Sequence, residues 1–234
     1  MNAAPGTLYV VSTPIGNLED ISARGVSILS SVDLIAAEDT RKTKILLNHF
    51  NLTKLLLSYH NYNETKRVPE LISKLIGGLS IALVSDAGTP GISDPSYRII
   101  NAAIEHNIPI VAIPGATAFM SALIVSGFNI DRFLFEGFLP VKKGRKTILE
   151  KLSIELHTLV FYESPHRLLR TLSDLKQYLG DRHVSVCREL TKKFEETFRG
   201  KISESIAHFS KSKIRGELVL VVEGAPRVKK RVPQ

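Results

Sequence analysis

The chain has a single cysteine, Cys187, in 234 residues. It therefore cannot close an internal disulfide, and no Cys/His spacing resembles a zinc site, so no metal is expected. A reducing compartment suits such a chain. No apolar run approaches the ~20 residues that a membrane-spanning helix needs, and the N-terminus has no basic-then-apolar leader with a cleavage site. A cytoplasmic protein without membrane association is expected. No Gly-x-Gly-x-x-Gly follows any strand-like run, and Gly-x-x-x-x-Gly-Lys-Ser/Thr is missing too, which disfavours dinucleotides and triphosphates as ligands. Without a Gly-x-Ser-x-Gly elbow, Ser12, Ser85 and Ser93 have no case as nucleophiles. There is no internal repeat, and the only biased tract is the basic, Pro-containing tail after Gly224, expected to be disordered.

What is present is a chain with 44% hydrophobic residues in many short runs, enough for one large or two modest domains. Its formal net charge is +8, and excess Lys and Arg attract polyanions such as nucleic acid. The positive residues crowd at Lys142–Lys146, at Lys192–Lys193, from Lys211 to Arg215 and from Arg227 to Arg231.

In the first half, Leu8–Ser12, Leu34–Ala37, Ile81–Ser85 and Ile110–Ile113 read as strands, each nearly all apolar, as parallel strands covered on both faces should be. Helices separate them: one capped by Asp20 or Ser22, one opened by Thr40, one running from Asn63 to Gly77-Gly78. From about Ile130 the pattern alternates more. Phe133–Phe135, Leu159–Tyr162, Val184–Cys187, Glu196–Phe198 and Leu218–Val222 read as strands, with helices over Thr147–Leu156, Pro165–Leu179 and Ile202–Phe209. The fold class is therefore α/β, with a doubly wound parallel sheet in an N-terminal domain, 1–127, and a mixed sheet in a C-terminal domain, 128–226, followed by the basic tail 227–234.

Four loops at strand ends carry turn residues out of proportion: Thr13-Pro14-Ile15-Gly16-Asn17, the stretch from Ser85 to Pro95, Pro114-Gly115-Ala116-Thr117-Ala118, and Glu163-Ser164-Pro165-His166-Arg167. Ligands of open parallel sheets bind outside the carboxyl ends of the strands, so the first three should converge on one crevice. Asp86 lies there among small residues, where a carboxylate can accept hydrogen bonds from hydroxyls or an amine while bare backbone grips the rest. A zwitterionic nucleoside would suit that arrangement.

The motifs VVSTPIGNLEDIS, DLIAAEDTRKT, SDAGTPGISDP, IPGATA, FEGFLP, FYESPHR, REL and GELVLVVEG occur in order from Leu8 to Gly224. This series resembles the bacterial 16S ribosomal RNA 2′-O-ribose (cytidine) methyltransferase I family of the tetrapyrrole-methylase superfamily. The resemblance implies a two-domain methyltransferase with S-adenosyl-L-methionine in the interdomain cleft, held by Pro14, Asp86, Ala87, Gly88, Ile92, Gly115, Thr117, Ala118, Tyr162, Glu163, Arg188, Gly216, Glu217 and Leu218. In the small-molecule branches the loop at Asp86 more often reads Gly-Asp-Pro; here it reads Ser-Asp-Ala-Gly. The implied acceptor is a cytidine ribose in the decoding region of 16S rRNA, presented as rRNA or as the small ribosomal subunit, and a homodimer is implied as well.

A ribose hydroxyl is a weak acid, so a nearby side chain must take its proton or a cation must stabilise the alkoxide. Glu38 and Asp39 are candidates for the base, with Arg41 and Lys42 on phosphate; Asp39 or Thr40 could equally cap the next helix while Glu38 pairs with Arg41. On this reading Asp86 serves the cofactor, and Arg41 with Lys42 serves the RNA. His60 and the aromatics beside it could stack a base, or His60 could be an ordinary surface histidine. Lys142, Lys143, Arg145 and Lys146 would meet RNA phosphate. Family members often continue past the last strand into a small helical module; here the sequence ends at Gln234, and the basic tail could substitute. Two alternatives remain open: a superfamily enzyme acting on a tetrapyrrole or a modified protein side chain, and a non-catalytic RNA-binding module.

Overall fold

β1 (Leu8–Val11), β2 (Leu34–Ala37), β3 (Leu56–Ser58), β4 (Ile81–Val84) and β5 (Ile110–Ile113) form a sheet in the order β3-β2-β4-β1-β5, with every neighbouring pair parallel. The computed structural model describes residues 2–211 and 213–226; the expected basic tail, 227–234, lies outside the described residues. β2 and β4 are buried at every residue, because an inner parallel strand is covered on both faces, and this is why their sequences show no alternation. β3 has no counterpart among the expected strands. It is three residues long and half-buried at the sheet edge, so its pairing with β2 and not its own pattern defines it.

Local chemistry starts the helices. Ser22 Oγ accepts the Gly25 amide to open α1 (Ala23–Ser31), and Asp39 accepts the Arg41 amide to open α2 (Thr40–His49). α3 (Glu64–Ile76) follows Asn63 and stops at Gly77, and α4 (Tyr97–Glu105) leaves the long loop after β4. Successive side chains of β1 point to opposite faces: Tyr9 and Val11 pack with Ile28, Leu29 and Leu47, while Leu8 packs with Leu71, Leu75 and Ile99.

The chain divides into two compact units, Met1–Thr117 and Ala118–Gln234, so the division falls before the expected 127/128. The intervening helix, α5 (Ala118–Ser126), packs on strands of the second unit, and the Arg199 guanidinium donates to its Val125 carbonyl. The second unit continues through β6 (Phe133–Phe138), α6 (Arg145–Leu152), β7 (Thr158–Glu163), α7 (Leu168–Leu179), β8 (His183–Arg188), β9 (Glu196–Lys201), α8 (Ile202–Phe209) and β10 (Leu218–Val222). Its sheet order is β6-β7-β10-β8-β9, with only β6–β7 parallel, a mixed sheet as expected. α6 begins and ends earlier than expected, since Gly144 at φ +81° starts it and Ser153 Oγ turns back to the Glu150 carbonyl. Cys187 is fully buried in β8, and burial pushes its thiol up, so it is an inert core group.

Arg145 corrects one expectation. It is 5% exposed, and its guanidinium is committed to Asp174 (2.8 Å), Thr171 Oγ1 (2.8 Å) and the Pro140 carbonyl (3.2 Å). A side chain held this way joins α6 to α7 and does not meet RNA phosphate; the spacing of a basic run cannot reveal which member turns inward. Arg145→Ala, which leaves Asp174 only its 4.0 Å contact with Arg170 and takes the guanidinium from Thr171 and the Pro140 carbonyl, should lower the unfolding free energy by about 3 kcal/mol. Lys142→Ala should change it by less than about 0.5 kcal/mol. Urea denaturation of both variants checks the contrast.

Candidate active site

Beyond β1 and β4 the two chains bend toward each other. Thr13 N donates to the Gly88 carbonyl at 2.8 Å and Gly88 N donates to the Thr13 carbonyl at 3.0 Å, an antiparallel bridge beyond two parallel strands. Gly88 sits at φ +80° and a Cβ there would stand 3.3 Å from Ile15, so the turn requires glycine. Hydroxyls extend the junction: Ser12 Oγ bonds Thr89 Oγ1 at 2.9 Å, and Thr89 Oγ1 bonds Thr117 Oγ1 at 2.8 Å. The loop after β5 approaches so closely that a Cβ on Gly115 would lie 2.9 Å from Ser12 Cβ. Pro14 is buried, whereas Ala87, Ile92 and Gly115 are exposed. Exposed main chain, small side chains and a nearby carboxylate fit the zwitterionic nucleoside inferred from the motifs.

That carboxylate, Asp86, also brings in the loop after β2. Its Oδ1 accepts the Asp39 amide at 2.9 Å, its Oδ2 accepts the Lys42 ammonium at 2.7 Å, and its own amide donates to Glu38 Oε2 at 3.1 Å. The residues read from the sequence as separate cofactor and RNA groups are thus one network. Hydrogen bonding to Asp86 raises the Lys42 ammonium above its ordinary value. Asp39 accepts the Arg41 amide and two guanidinium nitrogens of Arg41, and the Arg41 side chain holds its carboxyl well below the usual carboxylate range. A carboxylate so stabilised is a poor proton acceptor.

Asp94, not singled out from the sequence, behaves in the opposite way. Burial, reinforced by the neighbouring charges of Glu38 and Asp86 and opposed by a hydrogen bond with Ser85, pushes its carboxyl up to about 6. The available signal was the second Asp of SDAGTPGISDP, but only the folded loop sets it beside two other carboxylates.

In the second unit, the register of β10 gathers residues far apart in sequence. Leu218 pairs with Glu163 at the end of β7 on one side and with Arg188 at the end of β8 on the other. Gly216, at φ +90°, and Glu217 precede it; a Cβ on Gly216 would strike the Glu189 side chain at 2.3 Å. Glu189 and Thr191 hold positive φ angles of 50° and 66°, an uncommon backbone for such residues that clusters at functional turns. Lys192 bridges Glu189 and Glu217, each at 2.8 Å. Glu163 is 2% exposed and its oxygens accept from Thr171 Oγ1, the Ser164 amide and Arg167; this carboxylate serves its own unit, leaving main chain as its means of touching a ligand. Tyr162 packs against Phe135 and Phe138. Arg188 pairs with Glu196 at 2.9 Å, and Glu196 also contacts His208 at 2.7 Å.

Of the RNA candidates, Lys142, Lys143 and Lys146 are exposed, with Lys146 near Glu150 at 3.6 Å. His60 is half-buried within its own loop: its Nδ1 accepts the Tyr62 amide and its ring contacts Asn63. No His/Cys/Asp/Glu group among the described residues could hold a metal ion.

Solved structures share this architecture. The methyltransferase CobJ superposes with a TM-score of 0.69 at 17% identity, covering 95% of each chain. A uroporphyrin-III C-methyltransferase from Thermus thermophilus, complexed with S-adenosylhomocysteine, superposes with a TM-score of 0.65 at 15% identity, covering 93% of this chain and 97% of that one. The fold is that of a tetrapyrrole methylase, and the profile of the tetrapyrrole (corrin/porphyrin) methylases matches residues 7–205. Curated relatives named ribosomal RNA small subunit methyltransferase I are 52% identical in Halalkalibacterium halodurans, over 94% of this chain and 76% of the relative. The relative of the same name in Thermotoga maritima is 48% identical, over 94% of this chain and 99% of that protein. The chain belongs to the tetrapyrrole methylase family and, within it, to the small subunit methyltransferase I group.

Gly115→Ala tests the closeness of the strand-end loops. The added methyl must displace Ser12, and the unfolding free energy should fall by about 1–3 kcal/mol, read from urea denaturation; Gly115 has no left-handed φ, so the loss reports crowding alone.

Proposed function

We propose that this chain transfers the methyl group of S-adenosyl-L-methionine to the ribose 2′-hydroxyl of a cytidine in the decoding region of 16S rRNA. The observation that carries this reading is the 52% identity, across 94% of the chain, to a protein named for that class of acceptor. The motif resemblance supplies the ribose and the cytidine, and the strand-end loops supply exposed positions at Ala87, Ile92 and Gly115 beside the Asp86 carboxylate. Within the first unit Pro14, Asp86, Ala87, Gly88, Ile92, Gly115 and Thr117 would hold the cofactor. Bound there, S-adenosylmethionine supplies an electrophilic methyl and its own leaving group.

The protein's own work is alignment, dryness and removal of one proton. Arg41 and Lys42, paired with Asp39 and Asp86 but with side chains 89% and 60% exposed, would present positive charge to phosphate from the edge of the site. Asp94, raised to about 6 by burial, combines the ionised form at pH 7 with enough basicity to receive the hydroxyl proton, which suits a general base better than the depressed Asp39. Glu38 stays close to it through Asp86 and keeps its affinity for a proton high. The exposed apolar side of α5, where Ile124 is 68% exposed, is a surface that a second copy would cover in the homodimer. No described helix is long and apolar enough to cross a membrane, and buried Cys187 suits a reducing cytoplasm.

Transfer of labelled methyl from S-adenosylmethionine to small ribosomal subunits lacking the modification tests the reading directly; no transfer to the ribose would overturn it. With Asp94 as base, kcat should rise with pH through about 6 and level off above it, as the carboxyl loses its proton. Asp94→Asn should remove that limb and lower kcat by roughly 100-fold or more. Because Asp86 binds both the Asp39 amide and Lys42, Lys42→Met should weaken cofactor binding as well as RNA turnover. Titration calorimetry on Lys42→Met checks this: cofactor affinity identical to the parent would separate the two groups again.

A further inference from the structure

Tyr62 and Tyr97 are 99% and 80% exposed, the two most exposed large apolar side chains among the described residues. A ring left in water forgoes the free energy of burying its apolar face, and the same segment shows that it can bury one, since Tyr59 is 1% exposed. The fold brings the two helix starts beside which Tyr62 and Tyr97 lie to one edge of the sheet. Tyr62 lies just before α3 and Tyr97 is the first residue of α4; the two helices share a core through Leu71, Leu75, Ile99 and Ala103. An ion pair between Arg98 Nε and Glu64 Oε1, 2.7 Å long, ties the helix starts to each other. Each helix follows a strand of the parallel sheet, β3 or β4, so both rings stand at the carboxyl edge that carries Asp86, Asp94, Arg41 and Lys42. The loop bearing Asp86 and Asp94 ends at Tyr97.

We propose that Tyr62 and Tyr97 form a stacking platform for bases next to the methylated nucleotide, a reading that rests on the rRNA acceptor proposed above. Charge favours RNA as the occupant. Arg98 has a 59% exposed side chain, Lys66 is exposed, and Arg41 and Lys42 complete a basic border suited to phosphates, while the flat rings suit unpaired bases of any sequence. The His60 ring stands 6.0 Å from that of Tyr62 at 65°, an edge contact that steadies it before RNA arrives. The platform positions the strand and takes no part in the proton or methyl transfer.

The chain contains no tryptophan, so Tyr62→Trp and Tyr97→Trp each introduce a sole indole reporter. A single-stranded fragment of small-subunit RNA should quench its emission, whereas inorganic polyphosphate of equal charge should not. Tyr62→Ala with Tyr97→Ala should raise KM for small subunits by roughly 10- to 100-fold and leave S-adenosylmethionine affinity unchanged by calorimetry; the paired Phe substitutions should behave like the parent. Absence of RNA quenching, equal quenching by polyphosphate, or an unchanged KM in the Ala pair each overturns the platform. So does a normal KM accompanied by dissociation in sedimentation, which would assign the rings to self-association. Absent methyl transfer by the parent protein would instead defeat the proposed function, and the quenching result would still decide the platform.

Discussion

The arrangement of the first unit depends on the backbone bridge between Thr13 and Gly88. Two parallel strands carry their hydrogen bonds sideways, and beyond their ends the exposed amides and carbonyls need other partners. Here the two exit loops turn into each other and satisfy one pair reciprocally. Everything else at that edge is placed by this closure: Ser12, Thr89 and Thr117 line up hydroxyl to hydroxyl, Gly115 fits against Ser12, and Asp86 is left facing the loop after β2. A side chain at Gly88 would have to adopt φ +80° and displace Ile15, so the residue type at one turn governs the alignment of three loops.

Around Asp86 the site is electrostatically tight. One carboxylate, Asp86, receives an amide and an ammonium, its neighbour Asp39 is held low by Arg41, and a third, Asp94, is held high by burial and by the charges of Glu38 and Asp86. Neighbouring carboxylates whose environments push their proton affinities apart are the usual preparation for acid–base work. Arg41 and Lys42 keep their positive charges at the surface while their partners sit lower, so the same residues that steady the carboxylates also face an incoming polyanion.

The second unit shows how charged residues in motif-like runs can be structural. Glu163 and Arg145 both read from the sequence as ligand contacts, yet they share the hydroxyl of Thr171, which accepts from the Arg145 guanidinium and donates to the Glu163 carboxylate. A buried charge must be paired and bonded, and Thr171 with Asp174, Ser164 and Arg167 meets that demand. The result is a polar seam joining β7, α6 and α7. What this unit presents at the sheet end is mainly backbone, shaped by the left-handed residues Glu189, Thr191 and Gly216.

The pattern of apolar runs was sufficient to define β1, β2 and β4 as buried parallel strands, because covered strands must be apolar at every position. It found β5 as a strand too, but there, at the sheet edge, Val111 and Ala112 are exposed. Ser22 marked a helix start through its capping hydrogen bond. The motif series was sufficient to identify the family, since those loops combine turn residues and charges at lengths that chance does not produce. Tertiary structure alone decided the rest. Only packing could show that Arg145 turns inward, that α5 belongs with the second sheet, and that three-residue β3 is a strand. Lys42 is separated along the chain from Asp86, and Glu38 from Asp94, by whole elements, and the raised proton affinities of Lys42 and Asp94 arise from burial and from distances that no local pattern encodes.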